Sequence, residues 1–165
     1  MGESQIGEVW NIVKDVAPLF QNGQSKKMPG RAFAVPKGKN PGDCDWKDEI
    51  ERTYEHTLTW GSPLTTRGWT NITRMRIGVN FKFGGRYKRQ GRYIHDAVLF
   101  AELIDDGLAE RWEVVGEFGD AYPRGNTAVL PGTISVSHYL LKAHLRDYEF
   151  AVEICGTGEG HVRPR

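Results

Sequence analysis

Arg74, Arg76, Lys82, Arg86, Lys88, Arg89 and Arg92 crowd one short stretch of the chain. Guanidinium and ammonium groups gathered this closely neutralise phosphates or carboxylates. Trp69, Tyr87 and Tyr93 stand among them, and such rings can stack on bases or sit at a lipid interface. From Arg67 to His95 there are eight Lys/Arg and no acid. From Asp96 to Asp120 there are eight Asp/Glu and one Arg, so that segment nets 1 − 8 = −7, while the whole chain carries +1. A basic block followed by an acidic one implies an anionic partner at one face, or pairing of the two blocks within the chain or between copies.

Other chemistry is thinly represented. The histidines are His56, His95, His138, His144 and His161. His56 and His138 fall on the apolar faces of strand patterns, where a satisfied core histidine is the ordinary outcome. His138 and His144 lack the i, i+4 spacing of a helical metal pair. Cys44 and Cys155 show no zinc spacing and no nucleophile signature, and two cysteines in this length fit a reducing compartment better than a disulfide framework. No Ser sits in G-x-S-x-G. Gly156-Thr157-Gly158-Glu159-Gly160 resembles a phosphate loop only in composition, because no helix can follow it in so short a tail. Neither a cofactor nor a metal is expected.

The elements that must carry the cations read mainly as strands. Met75, Ile77, Val79, Phe81 and Phe83 alternate with Arg74, Arg76, Asn80 and Lys82, which puts a core face and a cationic face on one strand. Gly84-Gly85 is the expected reversal. Before it, Tyr54, His56, Leu58 and Trp60 alternate with Thr53, Glu55, Thr57 and Thr59. After it, residues 94–106 admit a strand or a short helix, with strand favoured by Tyr93, Ile94, Val98 and Phe100. Further strands are expected at Arg111 to Phe118, Thr133 to Leu141 and Tyr148 to Ile154.

Residues 4–20 carry Ile6, Val9, Trp10, Val13, Ala17 and Phe20 at three- and four-residue steps, which predicts an amphipathic helix with Ser4 as its cap. The fold class is therefore β-rich α+β: an antiparallel sandwich or partial barrel of five to six strands with an N-terminal helix. The expected organisation is a helix over 1–20, a basic Gly/Pro-rich flexible segment over 21–50 anchored by Phe33 and Val35, a β core over 51–156, and a disordered tail over 157–165. No run is apolar enough to span a bilayer, and no signal peptide is visible. Met1-Gly2 does not predict myristoylation, since Ile6 holds the position that needs Ser or Thr. An intracellular, cytoplasmic location is expected.

The order of these features resembles the core of rhabdovirus-type matrix proteins. The residues that carry the likeness are T-R-M-R-I-G-V-N-F-K-F, the basic turn after it, the apolar segment Ile94–Ile104, R-W-E-V-V-G-E-F, and L-P-G-T-I-S-V-S after a Pro/Gly loop. The resemblance covers residues 53–141 and is one of element order. It implies a virion-associated structural protein that self-associates and links a nucleoprotein or RNA to an anionic membrane. The reading from residues alone is broader: a non-enzymatic interaction protein whose basic hairpin contacts an anionic partner. The alternative is a small-ligand-binding β barrel, or an enzyme built on one, using interior groups such as His56, His138, Tyr139 or Glu102.

Overall fold

A computed structural model describes residues 6–10, 17–21, 24–25, 31–61, 72–105 and 110–165. In chain order its strands are β1 (Val9–Trp10), β2 (Ala17–Gln21), β3 (Gln24–Ser25), β4 (Ala32–Pro36), β5 (Ile50–Gly61), β6 (Ile72–Tyr87), β7 (Gln90–Asp105), β8 (Glu110–Phe118), β9 (Tyr122–Arg124), β10 (Thr127–Leu140), β11 (Ala143–Cys155) and β12 (Gly160–Pro164). The sole helical turn among them is a 3₁₀ turn at Pro41–Asp43.

Two antiparallel sheets form. One has the order β1-β4-β7-β6-β5; the other runs β12-β11-β10-β8-β2-β3, with β9 added alongside β10. Neither sheet closes on itself, so the architecture is a sandwich and not a barrel. The long strands largely alternate buried and exposed residues because each has one face on the partner sheet and one in water, with runs of consecutive buried residues at Ile77–Val79, Tyr93–Ile94 and Ala128–Leu130. From the first sheet Met75, Ile77, Phe81, Ile94 and Leu99 point inward; from the second, Trp112, Leu130, Ile134, Phe150 and Ile154 meet them. Each such side chain contributes roughly 1.5–3 kcal/mol by leaving water.

Several expectations need correction. The helix over 4–20 is not seen: Val9–Trp10 and Ala17–Gln21 are strands, and residues 1–5 and 11–16, Ser4 and Val13 among them, lie outside the described residues. Within the segment expected to be flexible, Ala32, Ala34 and Val35 are fully buried and β4 pairs with β7. Small residues let β4 lie close against its neighbour, which the Gly/Pro-rich surroundings concealed. The tail expected to fray instead holds β12, paired with β11 from Phe150 to Ile154. Its glycines serve close packing: a β-carbon on Gly156 would collide with the Arg92 carbonyl, and one on Gly158, at φ +89°, with the Phe83 ring.

The reversal is also displaced. Gly84, at φ +94°, makes an irregularity inside β6, and the chain continues to Tyr87 before turning. Lys88 and Arg89 form the turn at φ 51° and 64°. Positive φ at both central residues matches a right-twisted hairpin, here met by two cations instead of glycine. Residues 94–105 are strand throughout.

Candidate anionic-partner interface

The outward face of β6 carries Arg74, Arg76 and Lys82, as the alternation predicts, but these cations are already engaged. Arg74 pairs with Asp105 through Nε. Arg76 donates to Glu102 and lies 3.7 Å from Glu55. Lys82 lies 3.5 Å from Glu49 and 3.7 Å from Asp96, and Arg31 reaches the same Asp96 at 3.0 Å. The cause is register. β7 carries the first acids of the acidic block, Asp96, Glu102 and Asp105, and pairs with β6 so that Arg74 opposes Asp105 and Arg76 opposes Glu102. Cross-strand neighbours stand close enough for long side chains to meet.

The electrostatics follow. The hydrogen bond to Glu102, then the charges of Glu102 and Glu55, raise the Arg76 pKa. A hydrogen bond from His95, at 2.5 Å, is the main cause of the lowered pKa of Glu49. This face is a lattice of matched charge.

Arg86, Lys88, Arg89 and Arg92 are different. All four are exposed, at or beside the β6–β7 turn, and none has a carboxylate within ion-pair distance among the described residues. The 41–45 loop flanks them. Asp45 and Arg86 exchange backbone hydrogen bonds of 2.7 and 2.8 Å, and Trp46 lies over Gly85, where a β-carbon would strike its ring. The loop thus braces the base of the hairpin and leaves its apex projecting. Its own fold is fixed locally: Asp43 accepts from the Asn40 N–H at 2.8 Å, and Trp46 donates to the Pro41 carbonyl at 2.7 Å.

The three aromatic candidates fare unequally. Tyr87 has the ammonium groups of Lys39 and Lys88 over its ring, 5.6 and 5.5 Å from the centroid. Its π face already serves cations. Tyr93 is 4% exposed and belongs to the core; burial is the first cause that raises its pKa. Trp69 lies outside the described residues.

A second constellation joins the two sheets at the opposite end. His138 is fully buried, stacked on Trp112 at 3.9 Å and 11°, with Trp60 edge-on at 4.2 Å. Glu110, whose side chain is also fully buried, lies 3.8 Å from His138 Nε2. Thr73 and Trp112 donate to Glu110 Oε2, the latter at 3.2 Å. Among the described residues, Glu110 Oε1 and both ring nitrogens of His138 have no hydrogen-bond partner. Burial holds the His138 pKa below its ordinary value.

The interior groups named for catalysis do not converge. Glu102 faces outward with Arg76, Tyr139 stacks under Arg111, and His56 packs on Phe150 at 5.1 Å. Glu110 was not singled out from sequence, although extending the Trp112–Val114 period back by two residues places it on the inward face. Both cysteines are free: Cys155 is buried, and desolvation with the nearby Asp43 raises the half-buried Cys44 to about 11. Among the described residues no group of three or more His, Cys, Asp or Glu side chains is arranged to hold a metal, and no helix is long and apolar enough to cross a membrane. Comparison with protein-family models, curated proteins and solved structures gives no match for this chain.

Proposed function

We propose that this β sandwich is a non-catalytic interaction protein that docks phosphate-bearing partners through the apex of its β6–β7 hairpin. The observation that carries this reading is a contrast within one strand pair. Arg74, Arg76 and Lys82 are matched by carboxylates, whereas Arg86, Lys88, Arg89 and Arg92 have none within ion-pair distance among the described residues. Unmatched cations on a braced hairpin attract an anionic surface and lose little entropy on docking. With Tyr87 occupied by lysines and Tyr93 buried, the contact is one of charge and not of base stacking. The likeness to matrix proteins gives the reading its sharpest form, a structural protein that contacts a nucleoprotein or anionic headgroups.

The test is binding to single-stranded RNA and to anionic phospholipid vesicles across a salt series. Four phosphate contacts on a single strand predict a log–log salt slope of about −3. Lys88→Ala with Arg89→Ala halves that slope, while Arg74→Ala with Arg76→Ala leaves it unchanged. Binding that ignores salt, or that weakens equally in both double variants, defeats the proposal.

A further inference from the structure

The outermost strands elsewhere in the sandwich are short: β1 and β3 have two residues each, and β12 has five and includes Pro164. β5 is an edge strand of twelve residues. Its ladder to β6 runs from Ile50 to Gly61 without a register shift. Its other side makes no backbone hydrogen bond among the described residues. An edge this long is ordinarily blunted by proline, a bulge or charged side chains; β5 has no proline, lysine or bulge, and of its charged residues Glu51, Arg52 and Glu55, Arg52 is turned in toward the Gly158 carbonyl and the Phe83 ring.

The free groups can be assigned. A β-carbon on Gly78 would collide with the Tyr54 carbonyl oxygen, so that carbonyl faces β6. Alternation then turns the N–H and C=O groups of Thr53, Glu55, Thr57 and Thr59 to the open side. Beneath the same edge Tyr54, Leu58 and Trp60 are only half-buried, although they pack on the core. The edge therefore offers unpaired backbone and apolar surface that another strand would cover.

We infer that β5 is a self-association edge, pairing antiparallel with β5 of a second copy to join two five-stranded sheets into one. The occupant follows from the side chains. In a two-fold pairing centred on Thr57, Thr57 meets its counterpart, Glu55 meets Thr59, and His56 meets Leu58. No carboxylate opposes a carboxylate, and threonine pairs directly opposite are favourable. The strand is thus compatible with itself in charge and in β-forming residues.

Sedimentation of the full chain over a concentration series reads the pairing, with Thr57→Pro as the disrupting variant. Proline there removes an N–H that no β6 carbonyl uses, at an edge position where proline is tolerated. The expected result is a concentration-dependent dimer in the wild type and at least tenfold weaker association in the variant, with an unchanged circular dichroism spectrum. Amide exchange of the wild type adds a check free of any folding defect. Protection at Thr53, Glu55, Thr57 and Thr59 should rise with concentration, while Arg52, Tyr54 and His56 stay protected throughout. A wild type that remains monomeric up to its solubility limit overturns the inference, whether or not some other peptide adds to β5. A dimer that shows no gain in protection at those four amides overturns it as well.

Discussion

Replacing His138 with Phe should make the protein more stable. A neutral imidazole carries one N–H donor and one bare acceptor, and neither finds a partner among the described residues. Leaving such a buried group unmade costs about 1–3 kcal/mol. Phenylalanine keeps the stack on Trp112 and the edge contact with Trp60 while removing both polar atoms. The expected gain is about 1–2 kcal/mol in urea unfolding near neutral pH, with the m-value unchanged. The sign of the acid dependence follows from the lowered pKa of His138. Between that value and about 6.5 the unfolded chain binds the proton more readily than the folded one, so stability falls as pH falls. One unit below the unfolded pKa the loss reaches at most about 1.4 kcal/mol, from the same linkage relation. Unfolding measured at pH 8 and at pH 5.5 should show this loss in the wild type over and above that in His138→Phe. If the variant is destabilised, or the two proteins lose stability equally on acidification, His138 is satisfied or charged in the folded state and the reasoning is wrong.

Three further outcomes are expected. Gly158→Ala should cost more than about 1 kcal/mol, because Gly158 holds φ +89° and faces the Phe83 ring; thermal unfolding measures it, and an unchanged Tm would refute the packing described for the β11–β12 turn. Reduction should leave Tm unchanged, since Cys44 and Cys155 are unpaired. Iodoacetamide near neutral pH should modify Cys44 slowly, its thiolate being scarce with a pKa of about 11; rapid labelling would contradict the burial assigned to it.

Much of the sandwich can be read from alternation alone. Tyr54, His56, Leu58 and Trp60 face inward, as do Met75, Ile77, Val79, Phe81 and Phe83, because period two on a half-buried strand leaves little choice. What alternation cannot supply is register. The charge blocks announce that pairing is possible, but only the β6–β7 alignment decides that Arg74 and Arg76 are matched while Lys88 and Arg89 are not. Gly84-Gly85 offers positive φ cheaply and so suggests a turn, whereas the chain uses one glycine for a bulge and places the other beneath Trp46. Helical spacing at 4–20 competed with strand pairing, and at Ala17–Gln21 the open side of β8 prevailed. The tail looked frayed because glycine composition does not distinguish looseness from close backbone approach.

Because β5 runs antiparallel to β6, with Ile50 opposite Phe83, its first residues lie toward the Lys88–Arg89 apex and its last toward the far end of the sheet. Two copies joined along β5 would therefore hold their cationic apices at opposite extremes of one continuous sheet. Such a pair spans two anionic bodies instead of gripping one twice, so its mixture with vesicles would show clustering of the vesicles and not merely their coating.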